Sequence, residues 1–147
     1  ENTGMVKSTI AAMISAMTTY KVQLVILEPN ETLDTDEINF VNLTKLKLTY
    51  PSVNRENESP EALIFEKDFR KKNKINPSVF AVRGFDITFD TMMRLSQGKK
   101  YQETVDFKAT EQIDNKFEYY KKEDGGYMNK GIYILYYDTD LTIKEAN

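Results

Sequence analysis

The chain contains no Cys and no His, so any proton transfer, nucleophilic attack or metal ligation would fall to Asp, Glu, Lys or Tyr. Cys nucleophiles, disulfides and Cys/His zinc sites are excluded together. The carboxylates with the most suggestive spacing are Asp86 and Asp90, within the stretch Asn76–Leu95 (NPSVFAVRGFDITFDTMMRL). On a helix that spacing puts both on one face, as a general acid–base pair would require. Arg83 lies one turn before Asp86, and Arg94 one turn after Asp90. Each acid then has its own base, and the stripe reads as a solvated ion-pair ladder ahead of a catalytic dyad. No catalytic residue is assigned. The opposite arc, Ala81, Val82, Phe85, Phe89, Met92 and Leu95, reads as core, with Gly84 at its margin allowing a neighbouring element to approach closely.

Glu28 directly follows the apolar run that ends at Leu27, and Pro29 breaks that run. In open α/β sheets ligands bind beyond the carboxyl ends of strands, where a carboxylate can receive an ammonium. The competing reading is an ordinary surface or capping Glu. Asp138-Thr139-Asp140 begins like a calcium loop but lacks its glycine and its distal Glu, so it reads as a turn. Asp34-Thr35-Asp36 fails the same test. No metal site is assigned and no cofactor is implied. The sequons at Asn30, Asn42 and Asn57 are given no function. Six tyrosines crowd Tyr119–Tyr137, as a half-buried sheet would favour, though flat amphipathic rings also suit sugar stacking or partner contacts.

The elements that would position these residues alternate in the front half. Val6, Ile10, Met13, Ile14 and Met17 fall at helical spacing after Thr3, the expected N-cap. Tyr20–Leu27 (YKVQLVIL) reads as a buried parallel strand. A turn or short helix carries Ile38, Phe40, Val41 and Leu43, and Lys45–Tyr50 (KLKLTY) alternates as an edge strand. Ser59-Pro60-Glu61 opens a helix that turns Ala62, Phe65 and Phe69 inward and ends in Arg70-Lys71-Lys72. Asn76-Pro77 opens the next. The back half reads as strands at Glu103–Phe107, Phe117–Lys121, Tyr127–Tyr137 and Leu141–Lys144, with turns at Asp124-Gly125-Gly126 and Asp138–Asp140.

The length, 147 residues, fits one domain over 1–147. A formal charge of −3 leaves no excess of cations for general nucleic-acid binding. The longest apolar run is too short to span a bilayer. Glu1 follows no initiator Met and no basic leader, which fits a domain cut from a longer protein. The absence of Cys agrees with an oxidising compartment, and equally with a short cytosolic domain.

Phe69 with the basic run after it, then Pro77 and Phe80-Ala81-Val82-Arg83-Gly84-Phe85-Asp86, resemble the second lobe of type I periplasmic binding proteins. These include the leucine/isoleucine/valine-binding proteins of ABC importers. Phe117–Tyr119, Gly126-Tyr127, Asn129 and Gly131–Tyr137 resemble the family's terminal strands. More narrowly, the combination is similar to envelope proteins that carry LysM peptidoglycan-binding repeats ahead of such a module.

The resemblance implies an α/β, three-layer-like lobe, with a mostly parallel sheet flanked by helices and a β-rich C-terminal meander. The lobe's opening strand and its partner lobe would precede Glu1. The loop Glu1–Gly4 and Glu28 would face the cleft, which makes Asn2, Thr3 and Glu28 the expected ligand-binding residues. The implied function is non-enzymatic binding of a small polar ligand, an amino acid or a cell-wall fragment, in the periplasm or cell envelope, with hinge closure onto the absent N-terminal lobe. The alternative is a degenerate binding fold acting as a protein-interaction or peptidoglycan-associated scaffold. A lobe without its partner exposes apolar cleft surface, so a homodimer of the isolated lobe is a further expectation.

Overall fold

Helices in this chain begin where a short polar side chain can accept a hydrogen bond from the otherwise unpaired first-turn N–H groups. A computed structural model describes residues 2–28, 31–55, 58–106 and 108–146, without the side chains of Glu31 and Asp34. Asn2, not Thr3, caps α1 (Thr3–Ala16), its Oδ1 accepting from the Met5 N–H at 3.1 Å. Asn39 caps α2 (Phe40–Lys45), Ser59 caps α3 (Pro60–Asn73) and Ser78 caps α4 (Val79–Leu95). Pro77 therefore lies just outside α4, where it ends the preceding loop. The chain gathers into two compact units, Glu1–Ser52 with Tyr133–Asn147, and Val53–Ile132.

The first unit packs Ile10 of α1 and Leu43 of α2 against one face of a small sheet. That sheet runs β1 (Thr49–Ser52), β6 (Tyr133–Tyr137), β7 (Ile143–Glu145), with β6 central and both pairings antiparallel. Alternation puts Tyr133, Leu135 and Tyr137 in the core and leaves Ile134 outside. Lys45–Tyr50 is not one strand: Lys45 ends α2, Lys47 turns the chain at φ 47°, and β1 starts at Thr49. The expected alternation survives because Leu46, Leu48 and Tyr50 all reach the core, although through a helix cap, a turn and a strand.

Among the described residues there is no mostly parallel sheet. The described residues form three small antiparallel sheets, and their one parallel pairing is an isolated bridge between Val25 and Thr49. The reason lies in Tyr20–Leu27. A central parallel strand is covered on both faces, but here Val22, Leu24 and Ile26 pack on the core while Val25 and Leu27 stand exposed. The segment is a one-sided edge along β1, held by Leu24 and Ile26 N–H bonds to Leu46 and Thr49 carbonyls at 2.9 and 3.0 Å. In the back half, tight turns join neighbouring strands, and a tight turn dictates antiparallel pairing. Asp138 N–H donates to the Thr142 carbonyl at 2.9 Å across the β6–β7 turn.

The second unit holds α3, α4, a 3₁₀ turn over Tyr101–Thr104, and two hairpins. These are β2 (Thr110–Glu111) with β3 (Lys116–Phe117), and β4 (Tyr119–Lys121) with β5 (Tyr127–Asn129). The 3₁₀ turn stands where the strand Glu103–Phe107 was expected, and Phe107 lies outside the described residues. The β4–β5 turn runs through Gly125 and Gly126 at φ 91° and 79°, a backbone that L side chains avoid.

The orientation of α4 is the reverse of the one its pattern suggests. Asp86, Asp90 and Arg94 are 0%, 1% and 3% exposed, whereas Phe85 and Phe89 are 40% and 42% exposed and Met92 and Leu95 more so. The buried stripe is Val82, Asp86, Asp90, Arg94, and Arg83 is on the surface. Gly84 has open space around it and no closely approaching neighbour. The solvated ladder is thus corrected at Asp86, Asp90 and Arg94, and the apolar core arc at Phe85, Phe89, Met92 and Leu95, while Val82 is buried and Arg83 exposed as expected.

Candidate functional site

The buried charges of α4 hold a loop. Asp86 Oδ1 accepts from the Ile113 N–H at 3.0 Å. Its Oδ2 accepts from the N–H groups of Asp114 and Asn115 at 3.0 Å and from Asn115 Nδ2 at 2.8 Å. A buried carboxylate is tolerable only when its lone pairs are filled, and here three successive loop amides and an Asn side chain fill them. One turn on, Asp90 accepts from Arg94 Nε at 2.7 Å and from the Thr110 hydroxyl. Arg94 spends its other donors on the Thr104 carbonyl, 2.6 Å, and on Thr110 Oγ1, 3.1 Å, and lies 5.0 Å from the centre of the Tyr119 ring. Burial, followed by a hydrogen bond with Tyr101, pushes the Tyr119 phenol well above its usual range, so it stays protonated. Both carboxylates are enclosed and saturated, so no substrate reaches them for acid–base chemistry.

That loop forms one wall of an apolar groove. Clamping of Ile113 and tethering of Thr110 and Gln112 fix the chain that faces α3. The groove has a volume of about 940 Å³, and Ile64, Phe65 and Phe69 of α3 line it opposite Phe85 and Phe89 of α4 and Ile113. Its four phenylalanines form a continuous run of ring contacts. Centroids are 5.9 Å apart for Phe65–Phe69, 4.6 Å for Phe65–Phe85 and 5.7 Å for Phe85–Phe89, the last pair stacked within 11°. Such distances are those of favourable aromatic pairs. At the rim Arg55 bonds Glu111 at 2.8 Å. Glu61, Asp68 and Lys72 also line the groove.

The residues expected to grip a ligand are elsewhere. Asn2 is committed to capping α1, Thr3 is the first residue of that helix, and Glu28 is exposed beyond the edge segment. All three belong to the first unit, and no hydrogen bond or ion pair among the described residues joins Glu28 to Asn2 or Thr3. Glu1 and Pro29 lie outside the described residues, as do Asn30 and Asn57 of two sequons. Asp138 and Asp140 form the expected turn and both bind the Lys144 ammonium, Asp140 at 2.7 Å. The groove escaped sequence reading because the Phe65/Phe69 and Phe85/Phe89 pairs have the i, i+4 spacing of core residues. The signal that could have found it is that two neighbouring helices both carry such a pair.

No helix among the described residues is long and apolar enough to cross a membrane. Comparison of the chain with known protein families, with curated proteins and with solved structures finds no match.

Proposed function

We propose that this chain is a non-enzymatic binding module, that the phenylalanine groove of the second unit is its ligand site, and that the ligand is a small, largely apolar molecule. The observation that carries this reading is a concavity of about 940 Å³ floored by four touching, partly exposed phenylalanines. Volume and lining match those of ordinary small-molecule sites. Completing the burial of Phe85 and Phe89 alone would contribute roughly 1 kcal/mol each. The polar rim would orient the ligand.

This differs from the small polar ligand implied by the resemblance to periplasmic binding proteins. That reading, with its envelope location, its absent partner lobe and its peptidoglycan association, is carried by short motifs alone, because the described residues form no parallel sheet that would set Glu28 at a strand end. The interaction-scaffold reading has one observation in its favour: Met92, Met93 and Leu95 extend exposed apolar surface along α4.

Titration with the anionic, amphipathic dye anilinonaphthalene sulfonate, competed by dodecanol, tests the proposal. Dye emission should rise, fall again with dodecanol, and be lost in Phe85→Ser/Phe89→Ser. Absence of dye binding, or binding indifferent to the double substitution, refutes it. A rise in melting temperature with free amino acids or muropeptides that disappears in Glu28→Ala would instead support the polar-ligand reading.

A further inference from the structure

The connection between α3 and α4 combines two features that the groove does not use. α3 ends at Asn73, Lys74 reverses the chain at φ 63°, and α4 begins at Val79. Around this tip Ile75, Val79 and Phe80 are 65%, 58% and 82% exposed. Phe80 is thus almost wholly in water. From Arg70 to Arg83 the sequence carries five cations and no acid, in a chain whose net charge is −3. Arg70 is matched by Glu66. Lys71, Lys74 and Arg83 are exposed and enter no ion pair among the described residues. Val79 and Phe80 lie one turn before Arg83, so apolar and cationic side chains share a face of the first turns of α4. That end of the helix carries no acid in its first turn, so the positive pole of the helix dipole adds to the local field.

We infer that the α3–α4 tip docks on an anionic lipid surface, with Phe80, Val79 and Ile75 inserted at the headgroup–acyl boundary and Lys71, Lys74 and Arg83 on the phosphates. Charge complementarity selects the occupant, because the cations are concentrated here while the rest of the chain is acidic. The apolar side chains separate a membrane from a soluble polyanion. Three exposed apolar side chains beside exposed cations suit a fluid interface. Basic residues close to an anionic leaflet are worth roughly a factor of five in affinity each.

The test is co-sedimentation of the full chain with vesicles of phosphatidylcholine, alone and with one third phosphatidylglycerol. Binding should require the anionic lipid and weaken with salt. Lys71→Ala and Lys74→Ala should each lower it about fivefold. Phe80→Ser should lower it at least about tenfold while leaving the salt dependence in place. All three side chains are exposed, so unchanged melting curves would show that the variants fold, and dodecanol binding in the groove should be unaffected. Equal binding to neutral vesicles, no binding to anionic ones, or indifference to Phe80→Ser overturns the inference. Equally strong binding to heparin or duplex DNA that Phe80→Ser does not weaken would also overturn it, in favour of a polyanion site.

Discussion

Replacing Asp86 by Ala separates a buried clamp from a surface ladder by magnitude. In the structure its carboxylate is wholly buried and accepts from three loop N–H groups and from Asn115 Nδ2. Hydrogen bonds to a charged acceptor contribute about 1.5–3 kcal/mol each, but four on one group are not additive. Removing the carboxylate leaves the buried loop donors without an acceptor, at about 1–3 kcal/mol for each group so stranded. We therefore expect Asp86→Ala to destabilise the second unit by about 4 kcal/mol, a large part of the roughly 5–15 kcal/mol available to a domain. Urea unfolding should show a midpoint lowered by about 2 M for a slope near 2 kcal/mol/M. Amide exchange locates the loss: the Ile113, Asp114 and Asn115 N–H groups should be protected in the parent chain and exposed in the variant. Asp86→Asn keeps one acceptor oxygen and should fall between the two. A solvated ladder would cost under about 1 kcal/mol. A loss that small, with the three amides still protected, would refute the clamp.

Three further outcomes follow. Arg94→Lys should cost about 2–4 kcal/mol in urea unfolding, because one ammonium cannot span the Asp90 carboxylate, the Thr104 carbonyl and the Thr110 hydroxyl as the guanidinium does. Gly131→Ala should cost about 1–3 kcal/mol by the same measurement, since a Cβ there would lie 2.4 Å from the Lys116 carbonyl oxygen. The Asp140 carboxyl should titrate by NMR at about 2, held down first by its bond to Lys144 and then by Thr142. A lowered folded pKa stabilises the folded state above the unfolded value of 3.8, and that contribution is lost as pH falls through about 2. Lys144→Met should return the Asp140 titration to the ordinary carboxylate range.

Local signals in the sequence proved legible where chemistry is local. The Ser59-Pro60-Glu61 helix start, the Gly125-Gly126 hairpin and the Asp138–Asp140 turn all stand where residue types place them. Lys45–Tyr50 kept its inward set but not its element, since alternation reports burial and a cap-plus-turn can reproduce it. The parallel sheet failed because an apolar run does not say whether one face or both are covered. Helix α4 is the instructive case. Its Asp86 carboxylate pairs with amides 27 to 29 residues downstream, which no periodicity within the helix can reveal. Once those partners fill the interior, the phenylalanines are turned outward, and the groove follows from that inversion. Asn2 caps α1, the position that an Asn before a helix most often takes.

The claim on which the functional reading rests is that α4 turns its phenylalanines into an open groove. The chain has no Trp, so Phe89→Trp introduces a single reporter at the groove floor. The structure predicts emission from a water-exposed indole, quenched by acrylamide, that shifts to the blue and escapes quenching when dodecanol is added. Blue-shifted emission already shielded from acrylamide in the ligand-free chain would put Phe89 in a closed core and contradict the account.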